Sequence, residues 1–125
     1  MFEYSYLDIQ IIDEYYRCKR SIQEKQDFIE RELIKGYLSC KNIKNSPRYY
    51  LQWREGSKIR SVYISYKDLD NVKELIRQRK ELEKEIRLLK ANIRKIEKLY
   101  SKEQLNEART KLTISYKNGD ELDER

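Results

Sequence analysis

The sequence predicts an α+β fold: two long helices form a coiled-coil hairpin, a three-stranded antiparallel β-meander lies between them, and a short C-terminal helix follows. Three observations predict it. Val72, Leu75, Arg79, Leu82, Ile86, Leu89, Ile93, Ile96 and Tyr100 recur at alternating steps of three and four, the heptad seam of a helix that packs on another helix. Leu7, Ile11, Tyr15, Cys18, Ile22, Ile29 and Leu33 share one face of an earlier helix, interrupted at Lys25. Between them, residues 37–65 exchange a Glu/Lys/Leu background for Tyr, Val, Ile, Trp and Ser with period two.

The first helix is expected over residues 7–35, ended by Gly36 in a left-handed cap that a Cβ would penalise. The meander spans 37–65. Tyr37 to Lys41 is its first strand and Asn42 to Pro47 a polar turn. Tyr49, Leu51 and Trp53 then alternate with Tyr50, Gln52 and Arg54, and Arg60, Val62 and Ile64 with Ile59, Ser61 and Tyr63. Glu55-Gly56-Ser57 is a tight hairpin turn. The second helix is expected over 68–100, capped by Ser65 or Asp68. Ser101-Lys102-Glu103-Gln104 is a capping box that opens a short helix over 102–113, with Leu105, Ala108 and Leu112 as its apolar face. The polar stretch 117–125 is expected to be a flexible tail.

Composition fits long helices with a narrow stripe. Of 125 residues, 40% are charged and 38% hydrophobic, with 3 Gly and 1 Pro. One domain, 1–125, is the natural count at this length. No apolar run is long enough to span a membrane, and the N-terminal MFEYSYLDIQ is not expected to act as a secretory signal. Cys18 and Cys40 are unpatterned, which points to reduced thiols and a cytoplasmic location, with a disulfide as the alternative.

The segment from Gly36 to about Leu99 resembles an uncharacterised family of small bacterial, archaeal and phage proteins. The likeness rests on Gly36-Tyr37-Leu38, on Tyr49-Tyr50-Leu51-Gln52-Trp53-Arg54-Glu55-Gly56, and on Lys58-Ile59-Arg60-Ser61-Val62-Tyr63-Ile64, with the long helix to about Leu99 following as in that family. The resemblance implies a β-meander feeding a helix and no particular activity. Some members carry extra cysteines between the first two strands. Here Cys40 stands alone and histidine is absent, so no zinc site is carried over. The resemblance to mobile-element accessory proteins also implies inhibitors of host defence, of the anti-CRISPR type, as candidates.

Catalysis is not expected. With 0 His, neither a Ser-His-Asp nor a Cys-His arrangement can be assembled within the chain. Gly36, Gly56 and Gly119 are isolated, so no phosphate loop exists, and no metal or other cofactor is expected. Carboxylate pairs such as Glu81 with Glu85 read as a solvated helix face.

Charge placement singles out the meander. Residues 36–67 carry a net +6, which equals the net charge of the whole chain; residues 68–100 carry +3, and the two flanks carry −2 and −1. Cations interleaved with Tyr and Trp suit phosphates and bases. The expected binding set is Arg48, Tyr50, Arg54, Lys58 and Arg60, with Lys41 and Lys44 at the rim; Leu51, Trp53, Val62 and Ile64 are expected to be buried. The competing reading gives the aromatics to helix packing and the cations to a protected sheet edge. Arg79 on the seam is expected to snorkel to solvent, or else to mark where the helix leaves its partner.

The function expected from these residues is non-catalytic recognition of nucleic acid or a nucleoprotein, a CRISPR effector among the candidates. The alternatives are an inhibitor of a host-defence nuclease and a coiled-coil scaffold or oligomerisation module. The seam is equally compatible with pairing inside one chain and with a homodimer.

Overall fold

The computed structural model describes residues 3–111. Its elements are α1 (Tyr6–Glu32), β1 (Tyr37–Ile43), β2 (Ser46–Glu55), β3 (Lys58–Ile64), α2 (Tyr66–Leu99) and α3 (102–111). The class is α+β, with the meander between α1 and α2. Leu112 and the expected tail lie outside the described residues.

Each helix opens on a serine. Ser5 and Asp8 exchange hydrogen bonds, Ser5 N to Asp8 Oδ2 at 2.9 Å and Asp8 N to Ser5 Oγ at 3.1 Å. Ser65 precedes α2, where its hydroxyl donates to Asp68 Oδ2 at 3.1 Å. Ser101 and Gln104 form the expected capping box, Ser101 N to Gln104 Oε1 at 2.8 Å and Gln104 N to Ser101 Oγ at 3.2 Å. The Ser5–Asp8 and Ser101–Gln104 exchanges satisfy amides that the start of a helix leaves unpaired.

The chain divides into two compact units, at Glu24/Lys25 and again at Glu85/Ile86. In the unit built from both terminal parts, Ile12 and Tyr15 of α1, Ile96 of α2 and Leu105 and Ala108 of α3 form one buried cluster. Tyrosine hydroxyls tie it together: Tyr4 donates to Gln104 O at 2.9 Å, Tyr16 to Leu105 O at 2.8 Å, and Tyr100 to Asp8 Oδ1. Burial, with the neighbouring Asp8 charge, pushes the Tyr100 hydroxyl up to about 12, while the bonds from Tyr100 and Ser5 hold Asp8 below its ordinary value.

The first-helix face differs from expectation at its start. Leu7 is 64% exposed, whereas Ile12 is fully buried. Both flank the stripe through Tyr15, and α3 covers the Ile12 side. Cys18 is buried and Cys40 exposed, and both are free thiols.

The unit Lys25–Glu85 holds the sheet, in the order β1-β2-β3. Its core joins Leu51 to Val72 and Ile76 of α2, with Ile34, Leu38, Trp53 and Ile64 packed around them. β1 is longer than expected and ends in a two-residue turn, Lys44 at φ 51° and Asn45 at φ 63°, the doubly left-handed geometry that matches strand twist. Gly36 is not a helix cap, because α1 ends at Glu32. It stands at φ +112°, and a Cβ there would lie 2.3 Å from Gln52 O. Close approach to β2 explains this glycine.

Arg79 does not snorkel. Its side chain is 12% exposed, and its guanidinium donates from Nη1 to Ile34 O at 2.7 Å and from Nη2 to Gly36 O at 2.6 Å. Nε faces Glu83 at 3.4 Å. The planar fork closes the link between α1 and β1, so the break in the apolar seam is a polar clamp.

Candidate nucleic-acid interface

The two faces of the sheet follow from its register. Leu38, Leu51 and Val62 lie side by side, as do Cys40, Tyr49 and Ile64, and Trp53 lies opposite Arg60. Leu51, Leu38, Trp53 and Ile64 join the cluster with α2, so this is the inner face. By alternation, the rows Tyr37–Gln52–Ser61, Ser39–Tyr50–Tyr63, Lys41–Arg48 and Arg54–Ile59 face outward.

The outer face therefore collects Lys41, Arg48, Tyr50 and Arg54 from the expected binding set. Tyr50 and Tyr63 meet edge to face, with centroids 5.7 Å apart. Lys41 Nζ lies 5.2 Å from the Tyr50 centroid and the Arg48 guanidinium 6.0 Å from that of Tyr63. Two rings flanked by two cations thus form one cluster across all three strands. Among the described residues of the sheet no carboxylate shares this face: Glu55, the single acid in the meander, is on the inner side. Lys44 sits in the β1–β2 turn beside it.

Lys58 and Arg60 go elsewhere. The two-residue turn at Gly56-Ser57 sets Glu55 opposite Lys58, and so puts Lys58 and Arg60 on the inner side of the sheet. There Arg60 Nε binds Glu55 Oε2 at 2.8 Å. Val62, expected to be buried, shares the inner face but is 45% exposed on the edge strand. Tyr63 was the omission from the binding set. Turn arithmetic was the signal, because a two-residue loop after Glu55 pairs position 50 with position 63.

The match to known families takes in this sheet. The profile named Domain of unknown function (DUF6788) matches residues 8–74, more than half of the chain. The chain belongs to this DUF6788 family. The match begins in α1, includes the whole meander with Gly36-Tyr37-Leu38 and the Tyr49-to-Gly56 run, and ends early in α2. DUF6788 is itself of unknown function, so membership brings no activity with it. No curated protein and no solved structure matches the chain.

Among the described residues, no group of three His, Cys, Asp or Glu is placed to hold a metal ion. No described helix is long and apolar enough to cross a membrane.

Proposed function

We propose that this DUF6788 protein is a non-catalytic binder of nucleic acid or of a nucleoprotein, working in the cytoplasm through the outer face of its sheet. The observation that carries the reading is the cluster of Lys41, Tyr50, Tyr63 and Arg48 on a face without carboxylates. Cations there neutralise phosphate, and the tyrosine edges and hydroxyls pack on sugars. Arg54 and Tyr37 extend the face, and Lys44 adds charge at its rim.

The test compares two variants of equal charge change. K41A/R48A should weaken binding of a fluorescent oligonucleotide at least about tenfold at low salt, because each lost phosphate contact lowers both affinity and its salt slope. K58A/R60A, on the other face, should bind like the parent protein. Equal losses in the two variants, or no binding to DNA or RNA by the parent protein, would remove the reading.

A second reading has its own support. Ile59, 59% exposed, and the exposed Tyr37 and Tyr63 give the outer face the apolar area that a protein partner requires. An inhibitor seated on a host-defence nuclease, such as a CRISPR effector, would use that area together with the cations. Capture from lysate that survives nuclease treatment would favour it over direct nucleic-acid binding.

For the helices, we favour pairing of α1 with α2 inside one chain over a homodimer through the seam. The Asp8–Tyr100 hydrogen bond and the Lys25–Glu85 ion pair at 3.7 Å, one in each unit, support it. So does the burial of Ile96 with Ile12 and Tyr15 of α1.

A further inference from the structure

The two-residue turn at Gly56-Ser57 makes Glu55 and Lys58 a closing pair, and the register then runs unbroken to Tyr49 and Ile64. A closing pair exchanges both of its backbone hydrogen bonds, and such pairs recur at every second residue. The N–H and C=O groups of Lys58, Arg60, Val62 and Ile64 therefore turn toward β2, and those of Ile59, Ser61 and Tyr63 turn away from it. β3 is the last strand of the sheet, and among the described residues nothing hydrogen-bonds to these outward groups. The whole strand lies within the unit Lys25–Glu85.

Both faces of β3 are open as well. Every residue from Lys58 to Tyr63 is exposed, including Ile59, Val62 and Tyr63. Edge strands are blunted by proline, bulges or charge. β3 has no proline and pairs with β2 without a bulge. Its two cations, Lys58 and Arg60, stand at the hairpin end, where Glu55 already answers Arg60 at 2.8 Å.

We infer that β3 pairs antiparallel with β3 of a second copy of this chain, about a two-fold axis at Ser61. The order of side chains along the strand selects that occupant. With Ser61 on the axis, Ile59 stands opposite the partner's Tyr63, Arg60 opposite the partner's Val62, and Lys58 opposite the partner's Ile64. Each copy then engages all three outward residues, with three donors and three acceptors, so six hydrogen bonds cross the joint. On the outer face a β-branched side chain meets an aromatic ring, a favourable cross-strand pair. On the inner side each cation lays its stem along an aliphatic neighbour, and no cation directly faces another. An axis at Arg60 would set two arginines opposite each other, and an axis at Val62 would pair Ile59 with Ser65, beyond the strand. A strand from another protein would leave this self-complementary order without use. Isologous pairing also closes on itself, so association ends at a dimer.

This joint is separate from the α2 seam and does not depend on nucleic-acid binding. Sedimentation equilibrium of the full chain, free of nucleic acid, should show a mass rising with concentration from 15.4 kDa to twice that value. Ser61→Pro removes the outward N–H at the axis and leaves the bonds to β2 in place, so it should weaken the dimer at least about tenfold. Val62→Lys should also weaken it, by facing the partner's Arg60, whereas Val62→Glu should tighten it. K41A/R48A should dimerise like the parent, so failure of the oligonucleotide test leaves the pairing intact. Residues that face each other in a hydrogen-bonded pair have Cα atoms about 5.5 Å apart, within the span of a disulfide. In a Cys40→Ser background, Ser61→Cys should therefore crosslink two copies under mild oxidation. Ile59→Cys, whose counterpart lies four residues along, should not. A parent protein that stays at 15.4 kDa at every concentration overturns the pairing. So does a dimer that both S61P and V62K leave undiminished, or equal crosslinking through the two introduced cysteines.

Discussion

Replacing Arg79 with leucine separates a clamp from a flaw in the seam. Leucine would complete the apolar heptad, so if the arginine merely escaped to water, R79L would be neutral or stabilising. The geometry requires the opposite. Two charged donors leave the carbonyls of Ile34 and Gly36, bonds of 2.7 and 2.6 Å. A hydrogen bond from a charged group contributes about 1.5–3 kcal/mol, and partial access of water to the freed carbonyls returns some of it. Leucine packing offsets a further part, so the net expectation is a loss of about 2–3 kcal/mol. With an m-value of about 1–3 kcal/mol/M for a small protein in urea, the midpoint should fall by roughly 1–2 M. Trp53 is the single tryptophan and lies in the same unit, packed on the Leu51 cluster, so its fluorescence reports the loss locally. Lysine, a point charge without the fork, should recover about half. A midpoint unchanged or raised in R79L would refute the clamp.

Three further outcomes follow from the same coordinates. Gly36→Ala meets the backbone of Gln52 at 2.3 Å with φ at +112°, and should cost about 2–4 kcal/mol, read as a fall in Tm of roughly 10 °C or more. The Tyr100 hydroxyl is raised in the folded state, from 10.0 to about 12, so the native protein holds that proton more tightly than the unfolded chain. Its contribution is complete below pH 10 and is lost as the pH climbs toward 12; thermal melts across this window should fall more steeply for the parent than for Y100F, by about 1–2 kcal/mol. Cys40 is exposed, whereas Cys18 is buried and its thiol is pushed up by that burial and by Glu14; under native conditions a thiol reagent should modify Cys40 rapidly, and Cys18 only as the helices open, as peptide mass mapping would show.

Periodicity made the long elements legible, and neighbours decided what it could not. The α2 seam was visible because heptad spacing survives any choice of partner. On α1, both Leu7 and Ile12 lie at the margins of one stripe, and only the arrival of α3 buries the second. Ile76 is buried although it lies off the seam, because the start of α2 faces a sheet, and a sheet covers a wider arc than a helix does. On the meander, the interleaving of cations and rings was plain, yet Arg54 and Arg60 were grouped on one face. The two-residue Gly56-Ser57 loop forbids that grouping by parity. Arg79 carried the least sequence signal: its acceptors are backbone carbonyls more than 40 residues away, and carbonyls leave no mark in a sequence.

That clamp bears on where the folding unit can be cut. The family match stops at residue 74, ahead of Ile76, which underpins Leu51, and ahead of Arg79, which fastens the joint between α1 and β1. An excised piece trimmed to the matched span would keep every strand and still lack the rivet that seats the first one. Any fragment meant to hold its native sheet has to carry α2 onward through Glu83.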